Sequence, residues 1–66
     1  MKLIVNGKPH EHTGESSVSA LLDGLGANPA HTALMLNGEV VPSDHWEATM
    51  LNENDDVEVL VFVGGG

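Results

Sequence analysis

Val57-Glu58-Val59-Leu60-Val61-Phe62-Val63 is the last apolar stretch of the chain, and it runs straight into Gly64-Gly65-Gly66. It is rich in β-branched and aromatic residues and short enough for a strand. The opening residues 2–6 have the same character, Lys2-Leu3-Ile4-Val5-Asn6. These are the two most apolar strand candidates, so they are expected to pair at the centre of a sheet. A hairpin at each end of the chain then makes them run parallel.

Between them the punctuation is clear. Asn6-Gly7 and Asn37-Gly38 both suit two-residue hairpin turns, which need positive φ at both central positions. The first turn leads to a more polar strand over 9–13, where Pro9 suits an edge. The second joins a strand over 32–36 to a short one over 39–41, stopped by Pro42. Ser16 and Ser17 are candidate helix caps, and Val18, Leu21, Leu22 and Leu25 follow at helical spacing on one face. Gly24, Gly26 and then Asn28-Pro29 end that helix. Residues 43–50 are expected to be irregular, with one helical turn near Trp46. Strands on both sides of one helix predict an α+β domain, a mixed sheet of four or five strands packed on that helix.

Alternation along strands assigns the two faces. Glu58 prefers water, so Val57, Val59, Val61 and Val63 are expected to face the helix residues Leu21, Leu22 and Leu25. Leu3, Val5, Leu34 and Leu36 join them. Ile4, Met35, Leu60 and Phe62 then fall on the open face as a candidate partner-binding patch.

Composition narrows function. The chain has 66 residues, 2 Lys+Arg against 10 Asp+Glu, and a formal net charge of −8. So acidic a chain lacks the clustered cations that nucleic acid or an anionic membrane requires. One small domain has no room for a deep, supported catalytic pocket. With no cysteine there is no thiol nucleophile, disulfide or Cys-based zinc site. Asn6-Gly7 interrupts the opening too early for a signal-peptide core, and no apolar run approaches the roughly 20 residues that span a bilayer. A cytoplasmic location is expected.

His10 and His12 share a face in a regular strand, but with no third ligand nearby they read as solvated edge residues, and no metal is expected. Glu53, Asp55, Asp56 and Glu58 lack calcium-loop spacing and read as an acidic surface. The remaining candidate is the chain end. Glycines without side chains can thread a narrow channel. The Gly66 carboxylate is ionised at neutral pH and a poor electrophile, so it reacts only once activated. This domain offers no cation nearby, so a partner has to supply Mg²⁺ or Arg.

Met1-Lys2-Leu3-Ile4-Val5-Asn6-Gly7, Leu36-Asn37-Gly38-Glu39-Val40-Val41-Pro42, Trp46, and a terminal Gly-Gly at this length together resemble the ubiquitin-like β-grasp sulfur carriers, the ThiS/MoaD family. Leu51, Asp55 and Val57-Glu58 extend the likeness over essentially the whole chain. Within that family the chain is most similar to the sulfur carriers of thiamine biosynthesis. The resemblance implies a β-grasp domain over residues 1–63 and a flexible Gly-rich tail over 64–66. It implies a carrier rather than an enzyme, with Gly66 as the reactive residue after Gly64 and Gly65. The implied partners are a ThiF-like adenylyltransferase using ATP and Mg²⁺, a cysteine desulfurase relay that supplies sulfur, and a ThiG-like thiazole synthase that receives it. No cofactor is bound permanently. A molybdopterin synthase small subunit, a ubiquitin-like protein modifier and a plain interaction domain are the alternatives. Phe62-Val63 stands where the molybdopterin subunits often carry proline. Two departures from the sulfur carriers are Asn54, where the family often has Gly before the last strand, and the near absence of basic residues.

Overall fold

Both Asn-Gly pairs adopt left-handed backbone at both positions, with φ of 51° and 80° at Asn6 and Gly7 and of 50° and 86° at Asn37 and Gly38. They close the two predicted hairpins in the computed structural model, which describes residues 1–62. The first hairpin joins β1 (Lys2–Val5) to β2 (Lys8–Glu11). The second joins β3 (Thr32–Leu36) to β4 (Glu39–Val40). The helix α1 (Val18–Gly24) lies between the hairpins, and β5 (Asp56–Val61) is the last element. The sheet order is β2-β1-β5-β3-β4. β5 is central, parallel to β1 and antiparallel to β3, as expected for the two most apolar strands. Asn54, in the turn before β5, has φ of 69°, the left-handed conformation that Asn tolerates better than other non-Gly residues.

Of the two candidate caps, Ser17 serves: its hydroxyl oxygen accepts from the Ala20 N–H at 3.1 Å. The preceding N–H groups of Val18 and Ser19 donate to the Thr49 and Trp46 carbonyls. The segment 43–51 thus completes the start of a helix too short to stand alone. It contains a 3₁₀ turn (Ser43–His45), and Trp46 is buried, its indole N–H donating to the Val41 carbonyl at 2.8 Å.

Leu3, Leu34 and Val57 from the sheet meet Val18, Leu21 and Leu22 from the helix, with Trp46 and Leu51 closing the side. Val5, Leu36 and Val59 pack partly buried against this cluster. Two residues expected in the core are exposed instead. Val61 is 63% exposed and lies outside the core, as Leu25 does at the helix C-cap. The reason is length. Seven helical residues span about 10 Å, whereas six strand residues span about 20 Å. The strand outruns the layer that covers it. Val63 lies outside the described residues.

His12 is a further correction. It is buried, and its Nε2 meets the Glu15 carbonyl. β2 ends at Glu11, so His12 turns into the junction between the hairpin and α1 instead of remaining on a solvated edge. His10 is half-buried opposite Leu3.

Candidate functional site

The outgoing half of β5 is where the fold meets the candidate reactive end. On the β3 side the ladder continues to Thr32 opposite Val61, and the Phe62 N–H donates to the His31 carbonyl at 2.8 Å. On the β1 side strand pairing stops at Val5 opposite Val57. One side chain extends it. The Asn6 Oδ1 accepts from the Val59 N–H at 2.8 Å, and its Nδ2 donates to the Val59 carbonyl at 3.3 Å. The primary amide thereby imitates the next peptide unit of β1.

The second turn does the same at the start of β5. The Asn37 Oδ1 accepts from the Asp56 N–H at 2.9 Å, its Nδ2 donates to the Asp55 carboxylate at 3.1 Å, and its backbone N–H donates to the Asp56 carbonyl at 2.7 Å. Sequence reading recognised both asparagines as turn formers and missed them as clamps. The signal is faint: glycine also satisfies the first position of such turns, and only asparagine adds an amide.

On the open face, Met35 pairs directly with Val40 on one side and with Glu58 on the other. Leu60 pairs with Ala33, diagonal to Met35, and Phe62 follows Leu60 on the same side of β5. Met35 is half-buried, whereas Val40, Leu60 and Phe62 are 67%, 47% and 61% exposed. All four lie on this one face of the sheet. Ile4 is half-buried and registers with Asp56, so Asp56 and Glu58 of β5 stand between it and Met35. Three of the four expected patch residues are therefore brought together, Val40 joins them, and Ile4 lies across an acidic row.

Acidic residues dominate elsewhere too. An open groove beside the start of α1 is lined by Glu15, Asp23 and Glu47 with Ser17, Ser19 and Ala20. Of the run before β5, Asp55 is half-buried and structural: its carboxylate also accepts from the Asn52 N–H at 2.8 Å. Glu53 accepts from the Lys2 N–H at 3.1 Å. At the far end of β1 the terminal ammonium pairs with Glu11 at 2.8 Å. This hydrogen bond holds the ammonium above its ordinary pKa and the carboxylate below its own. Among the described residues no group of three or more His, Asp or Glu could hold a metal ion, and no helix is long and apolar enough to cross a membrane. Gly64, Gly65 and Gly66 lie outside the described residues.

The likeness to known proteins covers the whole chain. Thiazole synthases of Magnetococcus marinus and Paramagnetospirillum magneticum are 39% and 35% identical to it over 66 residues. The chain spans only 20% of the length of each of these curated relatives. The sulfur carrier protein ThiS of Escherichia coli is 24% identical over 66 residues, with both chains covered in full. A crystal structure of the thiamine biosynthesis protein ThiS from Geobacter metallireducens shares the fold at a TM-score of 0.82 and 40% identity, again covering both chains fully. A model of the ThiS family matches residues 3–66, from the first core leucine to the last glycine. The five-stranded mixed sheet on one helix is the ubiquitin-like β-grasp, and the chain belongs to the ThiS family.

Proposed function

We propose that this chain is a sulfur carrier for thiamine biosynthesis, with the Gly66 carboxylate as its reactive group and no catalysis of its own. The observation that carries the reading is the course of β5. One strand, gripped on both sides, bears the exposed Leu60, is followed at once by the exposed Phe62, and leads within four residues of Phe62 to Gly66 in the sequence. A partner that docks on Leu60 and Phe62 is held next to the chain end, which raises the local concentration of the carboxylate at the partner's active site.

The chemistry follows from a carboxylate's inertness. A Gly66 oxygen attacks the α-phosphorus of ATP on a ThiF-like adenylyltransferase, and pyrophosphate leaves with Mg²⁺. A sulfur nucleophile from a cysteine desulfurase relay then displaces AMP. If it arrives as a persulfide, the product is an acyl disulfide with the relay cysteine, and a thiol then attacks that cysteine's sulfur, forming a disulfide with it and releasing the terminal thiocarboxylate. A ThiG-like thiazole synthase takes that sulfur. Support for this last partner comes from the two longer polypeptides named thiazole synthase, each of which contains a stretch similar to this entire chain.

The test is the intact mass of the chain after incubation with the adenylating enzyme, ATP, Mg²⁺ and a desulfurase with cysteine. Replacement of one oxygen by sulfur at the C-terminus is expected. Deleting Gly66, or adding one residue after it, should abolish loading with little change in thermal unfolding. Normal loading of the extended chain, or covalent adducts with other proteins that resist reductant, would overturn the reading.

A further inference from the structure

We infer that Asn6 is a positioning residue: its side-chain amide sets the course of the outgoing half of β5 and, through it, the presentation of Leu60 and Phe62 to the activating enzyme. The inference rests on the function proposed above and adds to it a residue that lies outside both the tail and the apolar surface.

The argument is one of pairing. Alternate residues of a strand direct their backbone groups to opposite neighbours. In β5 the even positions bond toward β3, as the Asn37–Asp56 and His31–Phe62 contacts show. The odd positions bond toward β1: the Val57 carbonyl accepts from the Asn6 N–H at 2.8 Å, and Val59 is taken by the Asn6 side chain. No residue of β1 pairs with β5 beyond Val57, because the chain turns away at Asn6-Gly7. The Asn6 amide is therefore the last hold from the β1 side among the described residues. It grips the residue directly before Leu60 and three before Phe62. Without it, residues 58–62 are tied to the sheet, among the described residues, from the β3 side alone.

The fold supplies its own control. Asn37 occupies the same position in the other Asn-Gly turn, has nearly the same φ, and also makes two side-chain bonds, but it holds the start of β5 at Asp55 and Asp56. Glycine fits both left-handed positions. Asn6→Gly and Asn37→Gly thus each remove one amide clamp while keeping the turn. They differ in which end of β5 is released.

Both variants and the wild type are to be compared in two measurements. In hydrogen exchange on the free chain, Asn6→Gly should strip protection from the Val59 N–H and reduce it at Phe62, whereas Asn37→Gly should act at Asp56. In loading by the adenylating enzyme, Asn6→Gly should raise KM by about 3- to 10-fold with kcat unchanged, the range expected for losing one or two modest contacts. Asn37→Gly should leave KM near the wild-type value. Equal KM effects in the two variants would reduce Asn6 to general stability, and an unchanged KM in Asn6→Gly would remove its positioning role; either result overturns the inference. Asn6→Asp, which keeps the acceptor for Val59, should fall between wild type and Asn6→Gly, and it serves as the test if the glycine variant does not fold. A wild-type chain that cannot be loaded overturns the functional reading and this inference together, whereas a loaded wild type with an indifferent Asn6→Gly overturns this inference alone.

Discussion

Val61 stands directly opposite Thr32 in the β3–β5 ladder, yet Thr32 is buried and Val61 is 63% exposed. Thr32 is the C-cap of the 3₁₀ turn (Pro29–His31) that precedes it, and its hydroxyl donates to the Asn28 carbonyl at 2.7 Å. Among the described residues, Val61 lies outside the core cluster and is not packed against it. A ladder pair shares a face of the sheet, but the layer above that face decides which member is buried.

The first prediction follows from that pair. Val57 is fully buried against the helix, so Val57→Ala should cost about 1–3 kcal/mol, from lost burial and a cavity that closes only in part. Val61→Ala should stay within about 0.5 kcal/mol, as for an ordinary surface substitution. Urea midpoints of the two variants check this. A Val61→Ala midpoint as low as that of Val57→Ala would mean that the helix layer extends further along β5.

Phe62→Ala should separate docking from folding. The ring is 61% exposed, so the thermal midpoint should move little. Dissociation from the adenylating enzyme should quicken, because an aromatic residue that becomes desolvated at an interface contributes to holding the complex. Raising the salt concentration should instead slow association, because a chain of net charge −8 approaches a basic partner under attraction that salt screens. Stopped-flow binding at two salt concentrations, beside a melt of the free variant, reads both effects. A strong loss of folding stability in Phe62→Ala would place the ring in the core and end the docking argument.

Trp46→Phe tests how the 43–51 segment is pinned. The substitution keeps an aromatic ring and deletes the N–H that serves the Val41 carbonyl. A cost of about 1–3 kcal/mol is expected, for an acceptor left without its donor. It should appear in the denaturant midpoint, with faster hydrogen exchange at Val18 and Ser19, whose N–H groups depend on Thr49 and Trp46. Unaltered exchange there would separate the segment from the helix start.

The terminal ammonium and Glu11 predict a pH window. The Glu11 carboxyl is held below its ordinary pKa by its hydrogen bond from the ammonium, so its contribution is full above the unfolded carboxylate value and is lost as pH falls through the folded one. The ammonium is held above its ordinary value by the same bond, so its contribution is full below the unfolded value and is lost as pH rises through the folded one. Wild type should therefore exceed Glu11→Gln in thermal midpoint between about pH 5 and 8, and the two should converge on either side. Melts of both proteins across that range decide it. A difference that ignored pH would assign the effect of Glu11 to something other than this pair.

Much of this molecule was legible from local chemistry. The two Asn-Gly turns, a serine cap at Ser16 or Ser17, the helical spacing of Val18, Leu21 and Leu22, and the apolar character of the first and last strands lead to one helix between two hairpins and a central parallel pair, all of which the structure shows. Each of these is a property of neighbouring residues, and neighbouring residues are what propensity and periodicity report. The terminal glycines and the resemblance they complete were likewise readable in one dimension. Only the tertiary structure decided that His12 is buried, that Val61 is not, that Ile4 is cut off from Met35 by Asp56 and Glu58, and that Asn6 and Asn37 hold β5 as well as turning the chain. These depend on how far a short helix reaches over a longer strand, and on which backbone groups a neighbouring strand leaves unpaired when it ends. Alternation tells each side chain which way to point; the length of the covering layer and the end of the adjacent strand determine what it meets there.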